Sequence, residues 1–354
     1  MKDSEIQIKD KNINNINEFS KLKKIKKIKN NENKYYKIHN KKNLKLLLIY
    51  FFFFISYSLF IKLISHYFYD NHKRILIHKK KDLKICLCSI GKNENLYIKE
   101  FVEHYKKIGY NHIFLYDNND IDSERLEDKI LDEVKKGFVS IINYRGYRGK
   151  DQNPQLDAYK DCYQKNNYSC NWLSFFDIDE YLEFKPGGLK IQNFLSQKKF
   201  NICQVIKINW LFYVNSNNTL YYENKPLQQR MNKPLFNLTI NRHIKSTARG
   251  NLSTNYWEKV NNPHTSINNF TTCSTSGKII NSSSPYNFPF EHEFAFLKHY
   301  QLKSFEEFCL KIKRGRPIKE YKKYRENMIS NLLKANHNNT QKYNIIKRIF
   351  NITN

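Results

Sequence analysis

Asn171-Trp-Leu-Ser-Phe-Phe-Asp177-Ile-Asp179-Glu180-Tyr-Leu182 runs from an apolar stretch directly into three carboxylates, the first two spaced i, i+2. Trp172–Phe176 reads as an inner strand, and three similar runs precede it at a regular rhythm. Lys84–Ile90 is a short apolar run closed by Gly91. Leu96–Ile108 then places Ile98, Phe101, Val102, Tyr105 and Ile108 at helical spacing, and Gly109 stops it. His112–Tyr116 is apolar again and ends in the turn Asp117-Asn118-Asn119-Asp120. An amphipathic stretch follows to Lys136, Phe138–Ile142 reads as a third strand, and Pro154–Gln164 as a helix. Strand and helix alternating in this way predict an α/β class with a Rossmann-type, mostly parallel sheet. Functional residues in such sheets lie beyond the carboxyl ends of the strands.

At that edge Asp177 and Asp179 can reach one point. Paired carboxylates suit a divalent cation that prefers oxygen ligands and keeps positions open for phosphate, and such a cation neutralises a nucleotide diphosphate leaving group. The plainer reading is that acidic residues cap strand ends and start turns. An isolated Asp-x-Asp carries little weight by itself.

The 354 residues include 61 Lys+Arg against 33 Asp+Glu, a net charge of +28, with 40% apolar and 15% aromatic residues. That apolar share builds an ordinary core, and ten Gly with eight Pro exclude a collagenous or Gly/Pro-rich disordered chain. Residues 1–45 hold 14 Lys against 5 acidic residues with no sustained apolar period, so they read as a disordered cytoplasmic tail. The remaining charge is scattered, and no compact basic face points to nucleic acid. Leu46–Ile61 is unbroken by charge, and a snorkelling Lys62 lets the run extend to Tyr69. With about 20 residues needed to cross hydrocarbon, 46–69 is expected to be one uncleaved signal-anchor helix, followed by a stem over 70–83. Both flanks are basic, so the positive-inside rule favours a cytoplasmic N-terminus only weakly.

All seven Cys lie beyond that segment, as do eight Asn-x-Ser/Thr sequons, including Asn167, Asn237 and Asn251. Both features agree with a lumenal domain of a type II membrane protein. An odd Cys count leaves at least one thiol outside any intramolecular pair. Cys86 and Cys88 alternate as a strand would and read as core, and no Cys/His spacing suggests zinc.

Further motifs accompany the acidic pair in order. They are Lys92-Asn93-Glu94, Phe101-Val-Glu-His104, Gly109, His112 and Tyr116-Asp117-Asn118, then Gln155-Leu-Asp-Ala158 through Cys162. After the acidic strand come Trp210-Leu-Phe212, Gln229-Arg230, Lys245-Ser246, Pro263-His264, His299-Tyr300-Gln-Leu-Lys303-Ser304 and Lys313-Arg314-Gly315. In this order the chain resembles glycosyltransferase family 92 and the related family-2-like glycosyltransferases of GT-A fold, over roughly residues 84 to 317. Several linked motifs are far more specific than any one.

The resemblance implies transfer of a sugar, with inversion, from a nucleotide-sugar donor, UDP-linked by expectation, to a glycan, glycoprotein or glycolipid hydroxyl in the Golgi or endoplasmic reticulum. It implies Mn²⁺ or Mg²⁺ on Asp177 and Asp179, with His299 as first choice and His264 as second to complete the site. Asp117, Arg230, Lys245 and Lys303 would meet the donor. Against this, Asp117 sits in turn chemistry of its own, and isolated basic residues in a basic protein are commonly solvated. An inverting transfer also needs a carboxylate at the acceptor hydroxyl. Glu180, Glu291 and Glu293 are candidates that spacing does not separate. Trp210 and Phe212 would suit an acceptor sugar ring, although large aromatics on an apolar strand are usually core. A non-catalytic, membrane-anchored binding protein of the same fold is the alternative. Residues 318–354 form a basic extension with helical spacing at Ile329, Leu332 and Leu333 and no assigned role.

Overall fold

Apolar residues on both faces of a strand can only be accommodated inside a covered sheet, and β1 (Ile85–Gly91) is buried along almost its whole length. The computed structural model describes residues 52, 54–62, 83–215, 220–221, 225–252, 257, 262–265, 270–315 and 321–352. β1 pairs in parallel with β2 (His112–Asp117) and with β4 (Trp172–Phe175), and β2 pairs in parallel with β3 (Val139–Asn143). The registers Gly91 to Asp117, Asp117 to Asn143 and Cys88 to Phe175 bring the carboxyl ends of all four strands to one edge. The helix α1 (Ile98–Lys107) buries Ile98, Phe101, Val102 and Tyr105, the spacing expected of its sequence. The helix α2 (Pro154–Asn166) starts where Asn153 accepts the Leu156 amide and Pro154 occupies the first turn.

The second half departs from the mostly parallel expectation. β5 (Glu180–Phe184), β6 (Val205–Val214), β7 (Lys233–Leu235), β8 (Ile244–Arg249), β9 (Thr272–Cys273) and β10 (Ala295–His299) complete a ten-stranded mixed sheet. Its order is β3-β2-β1-β4-β8-β6-β10-β5, with β7 and β9 on β6. β8 runs antiparallel to both β4 and β6, and β5 antiparallel to β10. Among the described residues, the connections from β4 to β10 contain no helix longer than five residues. Without crossover helices a chain returns antiparallel.

Three disulfides tie this sheet. Of the two cysteines on one face of β1, two residues apart, Cys86 bonds to Cys170 just beyond α2 and Cys88 to Cys162 in the second half of α2, and Cys203 bonds to Cys273. The sequence reading of Cys86 and Cys88 as core residues is thus extended, since they are both buried and cross-linked. Cys309 is the buried free thiol. The sequon Asn167 is 1% exposed, so the folded chain does not present it for glycosylation.

The helix α3 (Phe305–Arg314) opens with a reciprocal capping box between Ser304 and Glu307. Beyond residue 317, α4 (Tyr321–Asn336) and α5 (Thr340–Phe350) follow, and Ile345, Ile346 and Ile349 of α5 cluster with Cys309 of α3. Residues Met1–Leu76 form a separate unit. Within it residues 52 and 54–62 are helical, while the 1–45 tail, most of the expected 46–69 span and the 70–82 part of the stem lie outside the described residues. Among the described residues no helix is long and apolar enough to cross a membrane.

Candidate active site

The sheet edge where β1, β2 and β4 end opens into a cleft of about 1110 Å³, walled on its other sides by Gly149–Gln155, Trp210, His264, His299 and the C-terminal turn of α3. Gly91 sits at its floor. A Cβ there would collide with the Ile178 Cδ1 and come within 3.0 Å of the Leu126 Cδ1, so the tips of both side chains would have to shift to admit one.

Asp177 and Asp179 occupy the short link between β4 and β5. Asp177 Oδ1 accepts from Lys245 Nζ at 2.7 Å, from the Tyr159 hydroxyl at 3.0 Å and from the Gln155 amide. These donors gather on one oxygen while the side chain stays 30% exposed and lines the cleft. Burial by itself would raise the Asp177 carboxyl, but Lys245 outweighs it and holds the group below the usual carboxylate range. Asp179 Oδ2 receives Lys311 Nζ at 2.9 Å, and Oδ1 lies 3.6 Å from His299 Nε2. Here too burial is overcome, by Lys311 and His299, so that Asp179 stays well below the ordinary value. Both carboxylates are therefore anionic at neutral pH.

Strand pairing explains how His299 arrives. It lies opposite Glu180 in the β10–β5 register, and the next amide, Tyr300 N–H, donates to the Asp179 carbonyl at 2.9 Å. The imidazole packs against Trp210 with ring centroids 4.1 Å apart, and its buried Nδ1 has no hydrogen-bond partner among the described residues. Burial lowers its pKa and favours the neutral ring, the form that binds metals. His264 pairs Nδ1 with the Ile244 carbonyl at 2.9 Å, a contact that makes Nδ1 the protonated nitrogen and turns the Nε2 lone pair outward. Its pKa falls to about 3 through burial and the nearby Lys245.

Among the described residues no three or more His, Cys, Asp or Glu side chains come together in a group that could hold a metal ion, so Asp177, Asp179, His299 and His264 are not gathered into one ligand set. An ion at Asp177 and Asp179 would have to be one, such as Mg²⁺ or Mn²⁺, that is bound through one or two carboxylates and completed by substrate phosphates. The anionic pair, His299 Nε2 beside Asp179 and the open cleft fit such an ion.

None of the four expected donor contacts lines the cleft. Asp117 is a turn brace: Oδ1 accepts the Asn119 amide at 3.0 Å, and Oδ2 takes the Leu126 amide and Arg145. Arg230 is committed to a buried two-pronged bond with Glu307, at 2.9 and 2.8 Å. Lys303 sits over the Tyr97 ring and near Glu94 Oε2 at 3.4 Å. Lys245 is fully buried beneath Asp177, 3.8 Å from Glu180 Oε2, where it supports the acidic pair from behind. The expected bases are displaced as well. Glu180 is buried, accepts the Asp177 amide and is pushed well above the ordinary value by burial first and then by its acidic neighbours. Glu291 braces Ser276, and Glu293 is exposed and accepts the His292 amide. Neither faces the cleft.

The residues that do face it include Lys311 and Arg314, which the sequence reading did not assign. The capping box at Ser304 fixes the start of α3, so both fall on one face, spaced i, i+3. Arg314 donates to the Lys92 carbonyl at 2.7 Å and to Glu94. Asp151, in a left-handed turn with φ +50°, is the exposed carboxylate on the cleft wall.

The Arg230–Glu307 pair gives a pH prediction. Burial would raise Glu307, but Arg230 and the Ser304 contacts hold it at about 2. A depressed carboxylate stabilises the fold above its unfolded value and loses that contribution as pH falls through the folded one. About 3 kcal/mol should therefore disappear between roughly pH 4.5 and 2. Urea denaturation across that window should show the loss, and Glu307→Gln should flatten it.

The profile of glycosyltransferase family 92 matches residues 81–348. The chain belongs to that family. Family 92 proteins of rice (Oryza sativa subsp. japonica), Ricinus communis and Arabidopsis thaliana are 28%, 26% and 28% identical over 127, 114 and 124 residues, covering 36%, 32% and 33% of this chain. The match spans about a fifth of each relative: 20%, 19% and 20%. Among solved structures, S. aureus TarS 1-349 in complex with UDP is similar with a TM-score of 0.28 at 13% identity, over 48% of this chain and 47% of that one. TarS 1-349 gives 0.32 at 12%, over 66% and 65%. The overlap is too slight to transfer a residue or a ligand.

Proposed function

We propose that this chain is a metal-dependent glycosyltransferase that moves a sugar, with inversion, from a nucleotide diphosphate donor, UDP-linked by preference, to a glycan or glycoconjugate hydroxyl. The observation that carries this reading is the anionic Asp177–Asp179 pair at the mouth of a large cleft, faced by Lys311 and Arg314, in a family 92 domain. Asp177 and Asp179 would hold Mn²⁺ or Mg²⁺ with His299, and His264 is placed on the same wall. The ion would supply charge neutralisation to a departing diphosphate.

The protein's own groups do the rest. Lys245, Tyr159 and Gln155 fix the Asp177 carboxylate in one orientation, and the two cations of α3 give the cleft a positive side for phosphate. Trp210, which lines the cleft, supports the expectation of an aromatic face for the acceptor sugar, whereas Phe212 is not on the wall. Asp151 is the cleft carboxylate open to an acceptor hydroxyl, the role Glu180, Glu291 and Glu293 are not placed to fill. Three disulfides support an oxidising compartment, in keeping with a lumenal domain of the Golgi or endoplasmic reticulum in a type II protein, for which 46–69 is the expected anchor.

The test is nucleoside diphosphate release by the full chain from a panel of sugar nucleotides, with Mn²⁺ and with EDTA. Turnover of one donor that requires the metal is the expected result. Metal-independent turnover would remove the cation from the mechanism, and no turnover with any donor and acceptor supplied would remove the activity.

A further inference from the structure

Of the cations around the cleft, Lys245 and Lys311 are bound to the acidic pair, and of these two Lys311 is the partly exposed one, while Lys92 pairs with Asp120. Arg314 is held by the Lys92 carbonyl and Glu94, Lys303 by Glu94 and the Tyr97 ring, and Lys245 lies buried behind Asp177. Lys311 is bound to Asp179 itself at 2.9 Å, and otherwise reaches only the Gln301 carbonyl at 3.5 Å among the described residues. Its side chain is 21% exposed, and its helix is anchored at the other end by the capping box and by Glu307 on Arg230. The backbone under Lys311 is thus fixed while a flexible four-carbon stem carries a compact charge that can be re-aimed.

We propose that Lys311 is a placeholder for the divalent cation: it neutralises Asp179 when the cleft is empty and passes to the donor diphosphate when a metal ion takes that carboxylate. This rests on the metal-dependent reading above and adds the exchange. The reason is electrostatic. An ammonium and a divalent cation on one carboxylate repel each other, and the nearest new anion in a loaded cleft is the diphosphate. The exchange keeps a partly buried carboxylate from standing unpaired at any stage, which would be costly.

The proposal predicts changes of opposite sign in two titrations of the full chain. For Lys311→Met, affinity for Mn²⁺ alone should rise roughly 3- to 10-fold, because a competing cation is gone. Affinity for UDP at saturating Mn²⁺ should fall roughly 10-fold, the worth of one charge-assisted contact. Lys311→Arg, which keeps the charge, should restore most of the UDP affinity and guards against a merely misfolded Met variant. Lys313→Met removes the same charge from an exposed position on the same helix and should move neither constant more than about twofold. A Lys311→Met protein that binds Mn²⁺ no better than wild type, or weakens both ligands together, overturns the proposal. A wild-type protein that binds neither ligand fails the functional reading first and takes this inference with it.

Discussion

Asp179→Asn is expected to lower sugar transfer roughly 10²- to 10³-fold while the protein stays folded. The substitution keeps the shape of the side chain and leaves the backbone bond from Tyr300 to the residue 179 carbonyl in place. What it removes is the charge that Lys311 and His299 now face. Lys311 is partly exposed and can turn to water, so the stability change should stay within about 1 kcal/mol. Steady-state rates on the preferred donor, with thermal melts beside them, check both halves. Full activity in this variant would sink the assignment of the acidic pair.

Lys245→Met is expected to be the most destabilising single change at the site, by about 3 to 5 kcal/mol. Lys245 is completely buried, with Asp177 at 2.7 Å and Glu180 at 3.8 Å. Methionine fills much of the same volume, so the cost is electrostatic: two carboxylates lose the one ammonium that both approach. Glu180 already sits well above the ordinary carboxylate range, so it can take up a proton, which leaves Asp177 as the uncompensated charge; Asp177→Asn in the same chain should recover part of the loss. Urea denaturation of the single and double variants measures this. A Lys245→Met protein within about 1 kcal/mol of wild type would show that the lysine is not the counter-charge of the pair.

The first four strands were legible because their signals are contiguous. Each apolar run and its turn residues lie within a dozen positions, and observed bounds such as Ile98–Lys107 and Trp172–Phe175 fall within a residue or two of those read from the pattern. The antiparallel insertion of β8 was not legible, because nothing local in Ile244–Arg249 says which strand it will join. The acidic pair was visible for the same local reason, whereas the basic side of the site depends on partners far apart in sequence. Arg230 meets Glu307 across 77 residues, Lys303 meets Glu94 across 209, and Lys311 meets Asp179 across 132. Arg230 and Lys303 were therefore expected at the donor and are engaged elsewhere, while Lys311 and Arg314 went unassigned. The available signals were the Lys313-Arg314-Gly315 motif, quoted without a role, and the Ser304–Glu307 capping box, which sets the phase of α3 and so its cationic face. Cys86 and Cys88 show a related limit: alternation put them correctly in the core, but their partners Cys170 and Cys162 are set by how α2 crosses the sheet.

In the proposed mechanism Asp177 and Asp179 bind a metal ion that in turn binds the donor diphosphate. Its most direct measurement is equilibrium binding of UDP to the full chain, with Mn²⁺ and with EDTA, in wild type and in Asp179→Asn. Binding that requires Mn²⁺ in the wild type and is lost in the variant is the expected result. UDP bound equally well in EDTA, or undiminished by Asp179→Asn, would contradict it.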